Sequence, residues 1–123
     1  MVSHELLLRT ALQWKISPEL AREVLARDLA CIYCNRSFED LSGQRAGLAS
    51  WEHIINDLTL VDVNNIALCC VGCNSSKGTK ALEAWLDSAY CKVKGITRSS
   101  IAPVAASVLR SSASPLAQPP NLQ

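Results

Sequence analysis

Apolar positions along the chain change their period several times, and each change marks an expected element. Leu6, Leu7, Leu8, Leu12, Trp14 and Ile16 cluster over residues 5–16, which predicts a short helix or an approach segment packed on the core. Ser17-Pro18-Glu19 reads as a helix entry, with Ser17 as N-cap, Pro18 at the first helical position and an acid in the first turn. Leu20, Val24 and Leu25 follow at helical spacing, and this helix is expected to end near Asp28. Residues 29–38 read as a tight turn with Ile32 and Tyr33 toward the core, and the polar residues 39–47, with two glycines, read as a loop. Residues 48–55 and 66–69 predict two strands joined by a long connection. Leu82, Trp85, Leu86 and Ala89 predict a helix from about Thr79 to Tyr90, and Gly95 breaks the pattern. From Arg98 onward the chain is rich in Ser, Ala and Pro. Ile101, Val104 and Val108 allow one short docked helix there, and the last dozen residues are expected to be disordered. The chain thus divides into an N-terminal helix or arm at 1–16, one small domain at 17–97 and a tail at 98–123.

Length and cysteine usage narrow this picture. The 123 residues fit one domain, but the cysteine-bounded part and its following helix take up only about half of them, and a domain below roughly 70 to 80 residues usually needs a disulfide or a metal in addition to apolar burial. Six cysteines are present, four of them as Cys31-Ile32-Tyr33-Cys34 and Cys70-Val71-Gly72-Cys73. The N-terminus shows no basic stretch followed by an apolar run, and no segment reaches transmembrane length, so a soluble cytoplasmic protein with no membrane partner is expected. In such a compartment paired cysteines read as metal ligands rather than disulfides. Four thiolates around one ion describe a closed tetrahedral zinc site, one zinc per chain. Cys69 and Cys91 are then spare and read as buried apolar thiols.

Charge is a weak guide by itself. The formal net charge is +1, and one zinc held by four thiolates would lower it by two. Its distribution says more: residues 1–60 hold six Lys/Arg against eight Asp/Glu, and residues 61–123 hold six against three. The basic side chains after Cys73, including Lys77 and Lys80, form either a solvated surface or a phosphate-binding one.

The 35 residues between Cys34 and Cys70 exceed what a minimal zinc ribbon needs. That insert carries Trp51-Glu52-His53-Ile54, and its end runs through Asn65 and a short apolar strand into Cys70-Val71-Gly72-Cys73-Asn74-Ser75-Ser76-Lys77-Gly78. In this order of elements the chain resembles the HNH endonuclease family, in the branch whose ββα-metal site is stabilised by a four-cysteine zinc. The resemblance covers roughly residues 17 to 90. It implies an α+β fold, a small ββα-metal domain stapled by zinc with flanking helices. It further implies a metal-dependent endonuclease that nicks DNA one strand per site, with RNA left open as a substrate and double-strand cleavage requiring a homodimer or a second encounter.

Carried over residue by residue, the resemblance makes His53 the general base and Asn65 a catalytic positioning residue. Glu52 and Asn74 become oxygen ligands to a catalytic Mg²⁺ or Mn²⁺, and Lys77, with Lys80 nearby, becomes a nucleic-acid contact. The chemistry is coherent, because a neutral histidine can take a proton from water while hard oxygen donors suit such an ion better than zinc. Strand alternation places Glu52 and His53 on opposite faces. Glu52 departs from the family's usual Asp by one methylene, so the ion must sit slightly farther away or the strand must adjust. Asn64 could replace Asn65 if the register shifts by one, and Asn74 could simply cap the following helix. The three tryptophans read as core anchors. The competing function is a non-catalytic zinc-binding module that docks nucleic acid or protein, with His53 structural.

Overall fold

The computed structural model describes residues 4–38 and 45–113. It is an α+β fold in which helices surround one antiparallel strand pair. Helix α1, His4–Ala11, runs into a 3₁₀ turn at Leu12–Trp14, which Lys15 closes in the left-handed region at φ 61°. Leu7, Ala11 and Ile16 are buried, so the N-terminal segment is part of the core and not a free arm.

Helix α2, Pro18–Arg27, begins as its sequence predicts. The Ser17 hydroxyl oxygen accepts from the Leu20 amide at 3.1 Å, satisfying one of the amides a helix start leaves open. Its end does more than stop the helix. Asp28 is buried, holds the Arg27 guanidinium through both carboxylate oxygens and accepts from the Leu68 amide at 3.0 Å. Arg27 in turn donates to the carbonyls of Val63 and Ile66. The pair thereby covers an otherwise open strand edge.

Strand β1, Ala49–His53, pairs with β2, Ile66–Cys70, in a register that sets His53 opposite Ile66 and Ala49 opposite Cys70. All five residues of β2 are buried, because α2, α3 and the first cysteine turn pack against it while α1 and α3 pack against β1. The first cysteine turn is closed by the Ala30–Ser37 bridge, by Cys31 N–H to Arg36 C=O, and by Asn35 at φ 66°. Ile32 and Tyr33 face inward as expected, at 1 % and 0 % exposure.

Helix α3, Val71–Lys77, starts inside the second cysteine pair, with Cys70 as its N-cap, and ends at Gly78, whose φ of 54° suits a residue without Cβ. The single helix expected over 79–90 is instead two. Helix α4, Leu82–Leu86, stops at Asp87, and Ser88 caps a new helix α5, Ala89–Lys94, by accepting from the Cys91 amide at 3.2 Å. The break carries Tyr90 to the second knuckle, where its hydroxyl reaches Cys73 Sγ at 3.4 Å. Gly95 ends α5 at φ 72°.

Helix α6, Pro103–Ala113, occupies the region read as a tail. The Ala102 amide donates to the Ile32 carbonyl at 2.8 Å, and Ile101, Ala105, Val108 and Leu109 are buried. A segment of Ser, Ala and Pro composition thus closes the back of the first knuckle. The expected loop is described only from Arg45, as a 3₁₀ turn at Arg45–Gly47. Its residues 39–44, and the expected disorder beyond Ala113, lie outside the described residues.

Candidate functional site

Two groups of chemically active side chains sit on this frame. In the first, the Sγ atoms of Cys31, Cys34, Cys70 and Cys73 all lie within 4.8 Å of one another. A zinc ion with bonds of about 2.3 Å requires tetrahedron edges of about 3.8 Å between its sulfurs. Cys34 and Cys70 stand at 3.8 Å. Backbone amides support the sulfurs: Tyr33 and Cys34 donate to Cys31 Sγ at 3.4 and 3.5 Å, and Cys73 donates to Cys70 Sγ at 3.4 Å. All six cysteines are free thiols.

Four thiols this close share protons. Hydrogen bonding from Cys31 holds Cys34 well down and Cys70 down to about 6, while the donors Cys31 and Cys73 are pushed up, by Cys34 and by Cys31 respectively. A divalent cation resolves that competition by replacing the protons. The cluster is therefore compatible with a structural metal such as zinc. Cys69 and Cys91 stand outside it, both buried, and burial pushes both thiols up.

The second group lies at the open end of β1. Glu52, His53 and Asn74 border one cavity of about 130 Å³, together with Trp14, Trp51, Asn56, Leu58 and Gly78. The alternation expected of a strand is kept. Trp51 turns toward α1, donating its indole N–H to the Leu7 carbonyl at 2.8 Å, and His53, two residues on, meets the Trp14 ring edge-on at a centroid distance of 6.0 Å. Glu52 turns the other way, toward the first knuckle. Both still border the cavity, which lies where the strand ends.

His53 is 9 % exposed, and its Nε2 is a buried polar atom without a hydrogen-bond partner among the described residues. Burial pushes its pKa below 6.5, with Glu52 opposing the shift. The imidazole is consequently neutral at pH 7, with Nε2 free to accept a proton or hydrogen bond. Asn65 is buried beside it. Its Oδ1 accepts from the Ile55 amide at 2.7 Å, and its Nδ2 donates to the carbonyls of Ile55 and Leu60 at 3.1 and 3.0 Å. The neighbouring Asn64 is exposed, so Asn65 is the one that fastens the chain after His53.

Asn74 sits in the middle of α3 and does not cap it. Its Nδ2 donates to Ser50 Oγ at 2.9 Å and to the Trp51 carbonyl at 3.1 Å, which leaves Oδ1 as its unpaired polar atom among the described residues. Glu52 is 5 % exposed, and its Oε2 accepts from the Tyr33 hydroxyl at 2.6 Å and from Lys77 Nζ at 3.1 Å. One carboxylate oxygen and one amide oxygen thus remain for a hard cation in a cavity with room for roughly four waters. The donor set fits such an ion.

Two expectations change. Lys77 is 1 % exposed, and its ammonium is held between Glu52 Oε2 and the Ile54 carbonyl at 3.0 Å. It faces the interior and is not a surface contact for phosphate; Lys80, exposed and bonded to the Ser76 carbonyl, remains at the surface. Trp51 and Trp85 are core residues, but Trp14 is 43 % exposed and lines the cavity mouth. Sequence reasoning missed Tyr33, whose knuckle position gave only an inward direction, and Trp14, whose apolar neighbours pointed to the core.

Among the described residues no helix is long and apolar enough to cross a membrane. No protein-family model matches the chain, and neither a curated protein nor a solved structure matches it.

Proposed function

We propose that the chain is a metal-dependent endonuclease of the HNH type, with a ββα-metal fold, that hydrolyses phosphodiester bonds in DNA one strand at a time. The observation that carries this reading is the cavity at the end of β1, where a neutral histidine with an unpartnered Nε2 meets a carboxylate and an amide oxygen. Glu52 Oε1 and Asn74 Oδ1 would hold Mg²⁺ or Mn²⁺, which when bound neutralises charge on the scissile phosphate. His53 accepts the proton of the attacking water as that water's oxygen bonds to phosphorus and the bond to the leaving oxygen breaks. General-base help of this kind is worth about 10²- to 10⁴-fold. Asn65 keeps the chain after His53 from drifting, and Asn74 ties α3 to β1 through Ser50 and Trp51. The four-sulfur cluster, closed if zinc fills it, has no open position for substrate and serves as the clamp.

One observation favours the competing reading of a non-catalytic zinc-binding module. Lys77 already neutralises Glu52, as a purely structural carboxylate would require. Purified protein incubated with end-labelled single-stranded and duplex DNA decides between them. The nuclease reading expects internal cleavage that needs added Mg²⁺ or Mn²⁺ and stops with a chelator too weak to remove zinc. Retained DNA binding with no cleavage under any divalent ion would favour the docking module.

A further inference from the structure

The buried Lys77 ammonium has no part in the proton transfer, yet its placement is specific. It donates to Glu52 Oε2 and to the Ile54 carbonyl, the two residues that flank His53 in sequence. The Tyr33 hydroxyl donates to the same Oε2. Glu52 Oε1 has no hydrogen-bond partner among the described residues, and Glu52 borders the cavity.

Each donor is tied to a different knuckle. Tyr33 lies between Cys31 and Cys34, and its amide donates to Cys31 Sγ. Lys77 is the last residue of α3, whose cap is Cys70 and whose first turn holds Cys73. A core ion pair needs no such arrangement, since well-packed apolar residues commonly replace one without loss of stability. Two donors on one oxygen draw that oxygen back and fix the orientation of the other.

We infer that Tyr33 and Lys77 are positioning residues that transmit the geometry of the two knuckles to the cavity, retracting Glu52 Oε2 and presenting Oε1 as a single-oxygen ligand for a divalent cation. The inference rests on the proposed function in taking the cavity as the cation site. It also accounts for a glutamate at this position, because the extra methylene gives the reach to Tyr33 and Lys77 while one oxygen stays at the cavity. A second consequence concerns affinity. An ammonium so close to the ligand opposes a cation, so Lys77 improves geometry at the expense of binding strength.

The test is Mn²⁺ titration of the zinc-loaded protein, read by the loss of the free-ion electron paramagnetic resonance signal, alongside the rate of DNA cleavage. Lys77→Met is expected to bind Mn²⁺ about fivefold more tightly or better while cleaving at least tenfold more slowly, with one zinc per chain retained. Tyr33→Phe, which removes a neutral donor and keeps the ring, is expected to leave the Mn²⁺ affinity within about twofold and to lower the cleavage rate. Glu52→Gln should weaken Mn²⁺ binding. If Lys77→Met does not fold, Tyr33→Phe decides: an unchanged cleavage rate overturns the inference. Mn²⁺ affinity that depends on Glu52 but is unmoved in a folded Lys77→Met protein overturns it too, and leaves the cation site standing. Mn²⁺ binding indifferent to Glu52→Gln overturns both.

Discussion

The cysteine cluster and the histidine cavity meet at α3, which carries Cys73 for one and Asn74 for the other, and they differ in how completely their polar atoms are matched. The sulfurs converge within 4.8 Å and receive backbone N–H donors. In the cavity, His53 Nε2 is buried without a partner, and the Glu52 and Asn74 side chains each keep one oxygen unbonded. Folded proteins seldom leave buried polar atoms unmatched, because each costs about 1 to 3 kcal/mol. A closed set of matched atoms is what a clamp needs, and a set of open ones is what a reaction needs.

That contrast can be broken from either side. The largest effect is expected at the cluster. Cys34→Ser, or a chelator strong enough to take zinc, should unfold the domain, since apparent zinc-finger binding energies run to about 10 to 16 kcal/mol near neutral pH. Circular dichroism and elemental analysis check this, with one zinc per chain in the wild type. A Cys34→Ser protein with unchanged zinc and melting temperature would remove the clamp from the account. Next comes Asn65→Ala, which deletes three hydrogen bonds to Ile55 and Leu60. It should lower stability by about 1 to 3 kcal/mol in urea titration and slow cleavage while sparing zinc.

A smaller effect follows from His53. Its folded pKa lies below 6.5, so between that value and 6.5 the unfolded chain binds a proton that the native chain does not. Stability is therefore full above 6.5 and is lost as pH falls from 6.5 toward the folded pKa. Denaturation curves across that range should show the slope in wild type and lose it in His53→Ala. The acid limb of the cleavage profile should likewise lie below 6.5. The smallest change in stability is expected for Trp14→Ala, because the side chain is 43 % exposed. Opening the cavity mouth should nonetheless move the His53 pKa back up toward 6.5, measurable by the titration of its ring protons.

Much of the clamp was legible in the sequence, and less of the cavity. Ser17 and Pro18 announced α2 and the paired cysteines announced both knuckles, because those residue types carry local rules; the first strand, expected over 48–55, ends already at His53. Helix α3 was hidden for a physical reason. Gly72, Asn74, Ser75 and Ser76 are poor helix formers, and the helix exists because Cys70 caps it and the cluster fixes its first turn. The two-helix break at Asp87 and Ser88 was masked by apolar spacing that runs straight through it. Lys77 misled most, since a lysine is ordinarily a surface residue and only the fold brings Glu52 and the Ile54 carbonyl to its ammonium. The docked helix that Ile101, Val104 and Val108 allowed is α6, Pro103–Ala113, and small residues such as Ala105, buried there, gave no further sign of its place in the core.

The most direct test of the whole account is the nicking of supercoiled plasmid by the wild-type chain and by His53→Ala, at equal zinc content and equal melting temperature. The account predicts Mg²⁺- or Mn²⁺-dependent nicking by the wild type and a loss of about 10²-fold or more in the variant. Equal rates in the two proteins, or a background that ignores the added cation, would contradict it.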